Sequence, residues 1–215
     1  EIGSLKKSFG LDEELIGLGL DRIDYTKGIP ERLKALDRFW ERYPQYRKRL
    51  VFFQAGVPSR THISAYKRLN EEVDGLIEDI NWKYGQGPWK PIIYLRYLSQ
   101  TTIMALRRMA HFSMVSSLHD GMNLVAKEYV SSRFDEDGVL VLSPFTGAAR
   151  ELTDALLVNP YAIDHMAEAI RMALEMPSAE RQRRMRRMRA VVQENNIYKW
   201  AADILSELVR FDFGG

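Results

Sequence analysis

The sequence of 215 residues contains no cysteine, which excludes disulfide bonds, thiolate zinc sites and thiol nucleophiles. It also has no apolar run long enough to cross a bilayer and no basic-then-apolar signal segment at its beginning. A soluble protein without a membrane partner is therefore expected, and the cytoplasm is the expected location.

Positive and negative side chains are nearly equal in number, and the formal net charge is +2. This charge is too small to indicate a polyanionic partner. The four histidines are scattered and none pairs with another at metal-ligand spacing, so no metal site is predicted. Motifs of two large enzyme groups are missing as well, namely the G-x-S-x-G nucleophile elbow and the G-x-x-x-x-G-K-[ST] phosphate loop.

Six arginines crowd one short segment near the end of the chain: Arg181, Arg183, Arg184, Arg186, Arg187 and Arg189. Met185 and Met188 recur among them at helical spacing, which favours a solvated helix face with methionines packed inward. The alternative, a nucleic-acid-binding patch, lacks interleaved aromatic residues and any known motif, so no nucleic-acid partner is expected.

Short apolar runs alternate with helical patterns along the chain. They predict strands at 15–20, 50–55, 92–95, 112–116, 139–142 and 155–158. Helices are predicted from Pro30 to just before Pro44 and at 61–80, 103–109, 123–131, 164–175, 179–193 and 198–209, with a loop at 81–91. Such alternation predicts an α/β fold, a Rossmann-like parallel sheet with helices on both faces. The domain is expected at 15–210, preceded by a lead-in segment at 1–14.

Ligands of such sheets lie outside the carboxyl ends of the strands, and loop 1 (residues 21–28) follows the first strand. It carries Arg22 and Lys27, a planar fork of donors and a compact charge that together suit a diphosphate. Gly28 permits a tight turn before the helix. The alternative is that both cations only form ion pairs with Asp21 and Asp24.

Loop 2 (residues 117–122) runs from the fourth strand into a helix, whose free N–H groups and dipole favour an anion. Gly121 would let a ligand approach the backbone. Asp120 could cap the helix or accept sugar hydroxyls, and Glu128 could accept the vicinal hydroxyls of a ribose. The alternatives are a plain cap and an exposed helical glutamate. Loop 3 (residues 143–151) has small residues that suit either ligand approach or packing.

Three segments carry a resemblance: LDRIDYTKGIPERL at 20–33, DGMNLVAKEYV at 120–130 and SPFTGAARELTDALLVNPY at 143–161. Together they resemble the C-terminal half of the trehalose-6-phosphate synthases, glycosyltransferase family 20. VPSRT at 57–61 and NWKYG at 81–85 also fit, so the resemblance covers nearly the whole chain.

The resemblance implies a GT-B architecture, in which two Rossmann-like domains face a cleft. It implies that the C-terminal domain binds UDP-glucose and that the N-terminal domain supplies most of the glucose-6-phosphate site. Transfer would retain the anomeric configuration, need no metal and give trehalose 6-phosphate and UDP.

The resemblance also implies roles for individual residues. Arg22, Lys27 and Asp120 would be catalytic, the two cations by holding the diphosphate. The transferred glucose and the phosphates would meet Asp120 and the backbone of Gly121, Met122, Asn123 and Leu124. At the nucleoside end, Val125 would contact the nucleoside, Glu128 the ribose hydroxyls, and the backbone near Tyr97 and Leu98 the uracil.

Two departures from the family pattern qualify these expectations. The N-terminal acceptor-binding half has no counterpart in this sequence, so the chain is expected to bind donor, to have little transferase activity alone and to self-associate through the uncovered cleft. His119 stands where the family pattern has arginine. Alternatives are a transferase with another acceptor, such as glycerol 3-phosphate, or another donor nucleotide, and a non-catalytic nucleotide-binding module. Retention of Arg22, Lys27, Asp120 and Glu128 argues against the module.

Overall fold

The computed structural model describes residues 2–57 and 63–210. Its six strands are β1 (Leu15–Leu20), β2 (Leu50–Ala55), β3 (Ile92–Leu95), β4 (Phe112–Val115), β5 (Val139–Leu142) and β6 (Leu156–Leu157). They form one parallel sheet in the order β3-β2-β1-β4-β5-β6. Strands β2 and β3 therefore lie on one side of β1, and β4, β5 and β6 lie on its other side. The boundary between β1 and β4 is the topological switch point, where ligands of such sheets bind.

Eight helices are described: α1 (Ile2–Ser8), α2 (Ile29–Arg42), α3 (Ser64–Tyr84), α4 (Gln100–Met109), α5 (Leu124–Ser132), α6 (Ile163–Glu175), α7 (Ser178–Glu194) and α8 (Ile197–Arg210). Helices α2, α3 and α6 share a core with one face of the sheet, and α4, α5 and α7 share a core with the other. This arrangement confirms the predicted Rossmann-like fold. No described helix is both long enough and apolar enough to cross a membrane.

The glycines of β1 make room on one face of the sheet. A Cβ at Gly17 would lie 2.5 Å from the ring of Phe112 and 2.6 Å from that of Phe52. At Gly19 it would lie 2.3 Å from the Arg32 guanidinium. Ile16 and Leu18, which alternate with these glycines, are buried in the opposite core. The run LIGLGL is thus a central strand that has no side chains at Gly17 and Gly19 on one of its faces.

Most predicted strands have the observed limits, but the loop expected at 81–91 begins too early. Helix α3 continues through Asn81 to Tyr84 and ends before Gly85. The Asn81 amide group pairs with both backbone groups of Ile92, at 2.9 Å each, and Tyr84 is buried. Contacts with β3 therefore hold a last turn that local sequence does not predict. The expected start of this helix at Thr61 lies outside the described residues, as does most of VPSRT.

The segment at 1–14, predicted to be a lead-in, contains α1. Its apolar side chains Ile2 and Leu5 pack against the sheet core, and Phe9 meets Phe53 edge to face with ring centroids 5.3 Å apart. The segment lies outside the sheet, as expected, but it covers part of one face.

Helix α7 confirms the inward methionine face, because Met185 and Met188 are buried. Each of its six arginines binds a carboxylate or a backbone carbonyl of the chain itself.

Candidate functional site at the switch point

Loops 1 and 2 leave the adjoining strands β1 and β4 and are bonded to each other. The backbone N–H of Leu118 donates to the carbonyl of Thr26 at 2.7 Å. The hydroxyl of Ser116 lies 2.8 Å from the carbonyl of Gly28 and donates to it. Gly28 has φ 59°, and a Cβ there would lie 2.2 Å from the Ser116 carbonyl. The turn predicted from Gly28 is therefore present, and it brings the two loops into contact.

Lys27 reaches across from loop 1 to loop 2. Its Nζ lies 2.6 Å from Asp120 Oδ2, and both side chains are mostly buried. Burial opposes ionisation of Asp120, but the hydrogen bond and charge of Lys27 outweigh it and hold the pKa of this carboxyl below its ordinary value. An ammonium group has three protons, so two remain for a ligand.

The alternative pairing of Lys27 with Asp21 or Asp24 does not occur. Asp21 accepts from Arg32 at 2.6 Å. Asp24 instead accepts from the backbone N–H of Thr26 at 3.1 Å and from the Tyr66 hydroxyl at 3.3 Å.

Arg22 is exposed on loop 1. Within residues 2–57 and 63–210 its guanidinium makes no hydrogen bond and no ion pair, although its charge acts on nearby Asp24. Loop 1 thus offers one unengaged cation and one cation fixed by a carboxylate.

Arg32 supports this rim from beneath. The first turns of α2 place its side chain against β1 at Gly19, with none of its surface exposed. Its guanidinium donates to Asp21 at 2.6 Å, Gln54 at 3.1 Å and Ser116 at 3.0 Å. These three partners lie at the carboxyl ends of β1, β2 and β4. The sequence alone does not predict this role of Arg32, because a helical arginine is typically solvated; the only signal in the sequence is Gly19 of β1, which lies opposite Arg32.

The start of α5 differs from the expectation in its cap. Asn123, at φ 70°, is the capping residue, and its Oδ1 accepts from the Ala126 N–H at 3.0 Å. Its Nδ2 donates to Asp120 Oδ2 at 3.0 Å. Asp120 therefore does not cap the helix; it is held by Lys27 and Asn123 in front of it. A Cβ at Gly121 would meet no atom within 4 Å, so the backbone faces open space there.

Loop 3 packs directly under loop 2. The Asp120 N–H donates to the Phe145 carbonyl at 3.1 Å, and the Gly147 N–H donates to the Asp120 carbonyl at 2.9 Å. A Cβ at Gly147 would lie 2.1 Å from the Gly121 carbonyl, so packing accounts for this glycine. A cavity of about 280 Å³ lies between the loops, beside His119 and Arg150.

The residues expected at the nucleoside end lie on α5 and before α4. Val125 is partly buried and Glu128 is exposed on α5. Glu128 is not a free helical glutamate, because it pairs with Arg107 of α4. Tyr97 is exposed and Leu98 packs partly into the core. The sequence alone predicts no role for Arg107.

Among the described residues, no group of three or more histidine and acidic side chains could hold a metal ion. What the rim offers is two cations, a carboxylate and the N-terminus of α5 around the switch point. Cations and free helix N–H groups bind phosphate oxygens, and the fixed carboxylate accepts hydrogen bonds from hydroxyl groups. A phosphorylated sugar compound fits this set of groups.

Comparison with known proteins gives a family for the whole described chain. The model of Glycosyltransferase family 20 matches residues 1–210. A trehalose-6-phosphate synthase of Enterobacter sp. (strain 638) is 43% identical over 193 residues, which are 89% of this chain and 41% of the relative. A bifunctional trehalose-6-phosphate synthase/phosphatase of Thermoproteus tenax is 39% identical over 97% of this chain and 28% of the relative. The chain thus spans less than half the length of these relatives.

Solved structures agree. An alpha,alpha-trehalose-phosphate synthase (UDP-forming) from Burkholderia xenovorans, in complex with glucose-6-phosphate, has a TM-score of 0.92 at 41% identity; the match covers 96% of this chain and 46% of that one. A structure from E. coli bound with UDP-2-fluoro glucose has a TM-score of 0.93 at 38% identity, over 98% of this chain and 47% of that one.

Proposed function

The chain belongs to glycosyltransferase family 20, and from this premise we propose that it is the donor-binding domain of a retaining glucosyltransferase. The transferase moves glucose from UDP-glucose to glucose 6-phosphate and forms trehalose 6-phosphate and UDP. The observation that carries the proposal is the contact of Lys27 with Asp120 at 2.6 Å, which joins loop 1, where Arg22 also lies, to the loop ahead of α5 at the switch point. A nucleoside diphosphate is the leaving group that these donors suit.

In this proposal the chain stabilises the leaving diphosphate. Negative charge grows on the terminal phosphate as its bond to the anomeric carbon breaks, and preorganised donors lower the barrier because they are strongest against that charge. Arg22 and the two free protons of Lys27 bind phosphate oxygens. The N–H groups at the start of α5 supply further donors, so no metal ion is required.

Asp120 has two tasks in the proposed site. It fixes the Lys27 ammonium group at 2.6 Å, and its Oδ1, which accepts from the Met122 N–H at 3.3 Å, accepts a second hydrogen bond from a hydroxyl of the transferred glucose. Backbone groups at Gly121, Met122 and Leu124 lie beside this sugar. Val125 and Glu128 meet the nucleoside, with Glu128 accepting from the ribose.

We further propose that the acceptor site comes from a second domain outside this sequence, and that the protein acts in the cytoplasm. The chain alone then has a donor site with one open wall. Little release of UDP from UDP-glucose and glucose 6-phosphate is expected from it, and a coupled assay measures this. Sedimentation over a range of concentrations measures the self-association expected through the open wall.

The central experiment is calorimetric titration of the chain with UDP, with GDP and ADP in parallel. UDP is expected to bind, and Arg22→Ala and Lys27→Ala are each expected to weaken binding roughly tenfold or more, the worth of a charge-assisted hydrogen bond. Arg187→Ala removes an exposed arginine of α7 and is the matched control, with no change expected. A folded chain that binds none of the three nucleotides would contradict the proposal.

A further inference from the structure

Glu128 and Arg107 form an ion pair of unequal exposure. Arg107 on α4 donates through an Nη atom to Glu128 Oε2 on α5. The Arg107 side chain is only 11% exposed, whereas that of Glu128 is 46% exposed. The cation is therefore part of the protein interior, and the carboxylate lies at its surface.

Arg107 depends on this one carboxylate. Its Nε is buried without a hydrogen-bond partner among the described residues, and Glu128 is the sole acceptor that its side chain has there. Burial lowers the pKa of Arg107 and the charge of Glu128 opposes that shift. A buried cation with one acceptor holds that acceptor far more firmly than two solvated side chains hold each other.

The pair leaves one oxygen of Glu128 available. Oε2 is engaged by Arg107, and Oε1 makes no hydrogen bond within residues 2–57 and 63–210. An unpaired surface glutamate would sample several rotamers and would lose that freedom on binding a ligand. Here the packed guanidinium has already restricted the carboxylate, and Glu128 lines a cavity of about 290 Å³ together with Met104, Leu124 and Phe134.

We propose that Arg107 is a positioning residue for nucleotide recognition: it holds Glu128 so that Oε1 accepts a hydrogen bond from a ribose hydroxyl. The inference rests on the proposed function, because it requires the ribose of a nucleotide to lie at Glu128. Arg107 itself does not touch the nucleotide. It acts by reducing the entropy that Glu128 loses when the ribose binds.

The test compares UDP with 2′,3′-dideoxy-UDP, which lacks both ribose hydroxyls, by calorimetric titration of the chain. The unaltered chain is expected to prefer UDP roughly ten- to a hundredfold, the worth of a hydrogen bond to a charged group. Arg107→Met keeps the apolar stem and is expected to reduce this preference to below about fivefold, because Glu128 becomes mobile. Arg107→Lys keeps the charge and is expected to restore part of it.

Three controls separate positioning from a purely structural role. Arg108→Met removes the neighbouring cation, which stacks on Phe134 and does not contact Glu128; its preference is expected to equal that of the unaltered chain. Glu128→Ala is expected to abolish the preference, and adding Arg107→Met to it should cause no further loss. The double variant also avoids leaving the Arg107 charge buried alone, and thermal unfolding checks that each variant is folded.

The outcomes are distinct. If Arg107→Met weakens UDP and dideoxy-UDP equally, Arg107 only stabilises the fold and the inference is overturned while the proposed function stands. If Glu128→Ala retains the full preference for UDP, the ribose does not lie at Glu128 and the inference is again overturned. If the unaltered chain binds no nucleotide, the proposed function fails and takes the inference with it.

Discussion

Arg32 is a full charge with no exposed surface, and its surroundings explain why it is tolerated. Three side chains accept from its guanidinium, and its charge is matched by Asp21, itself almost fully buried. One oxygen of Asp21 has no partner among the described residues. Asp21 therefore relies on Arg32 for its compensation, and removing either alone leaves a buried charge unpaired.

Arg32→Met is accordingly expected to lower the free energy of unfolding by about 3–5 kcal/mol, the usual cost of breaking a buried ion pair from one side. Urea unfolding followed by circular dichroism measures this. The double variant Asp21→Asn/Arg32→Met removes both charges and is expected to recover much of the loss. If the double variant is as unstable as the single one, the stability lost with Arg32 comes from its hydrogen bonds to Gln54 and Ser116 and not from its pairing with Asp21.

Residues of the proposed site differ in how far the sequence predicts them. Arg22, Lys27 and Asp120 lie in loops that follow β1 and β4, so the sequence pattern predicts at which edge of the sheet they lie. Arg32 and Arg107 lie inside amphipathic helices, where an arginine looks solvated. Their partners are remote in sequence, such as Ser116 for Arg32, and only the packed fold brings them together.

At the scale of elements, the start of α5 depends on one unusual residue. Asn123 caps the helix from the left-handed region, at φ 70°. That backbone conformation suits glycine and, to a lesser degree, asparagine. The cap and the conformation are separate contributions, and substitution can separate them.

Asn123→Ala loses both contributions and is expected to lower the free energy of unfolding by about 2 kcal/mol, half from the cap and half from the strained backbone. Asn123→Gly loses the side chain but keeps the easy backbone, so a loss well below about 1 kcal/mol is expected. Denaturant unfolding of the two variants provides the comparison. Equal losses would show that the αL conformation is not what Asn123 is needed for.

Buried strands are the elements that the sequence predicts best. Val139–Leu142 is a continuous run of buried apolar residues, and β2 begins with another such run, Leu50 to Phe53, and this pattern needs no tertiary knowledge. The end of α3 is different, because Asn81 favours a turn locally and is recruited into the helix by β3. Tertiary contacts decide such ends.

At the scale of the whole molecule, α8 stands apart. Every residue of Ile197–Arg210 is exposed, including Trp200, Leu205 and Leu208. None of its apolar side chains belongs to either core of the described structure. The stability of the domain therefore does not draw on this helix.

A chain that ends at Asn196 is expected to keep its free energy of unfolding within about 0.5 kcal/mol of the full chain, as for changes at an exposed surface. Differential scanning calorimetry and urea unfolding measure this. A loss above about 1 kcal/mol would mean that α8 packs on the domain.

The placement of β1 at the centre of the sheet also has a kinetic consequence. One of its edges pairs with β2 soon after it, but the other pairs with β4, and Phe112, the partner of Gly17, comes 95 positions later in the chain. At translation rates of about 5–20 residues per second, that delay lasts roughly 5–20 s. During this time one edge of the apolar strand β1 has no partner in the nascent chain. A ribosome-associated chaperone can therefore bind that edge until the second half of the sheet has been synthesised.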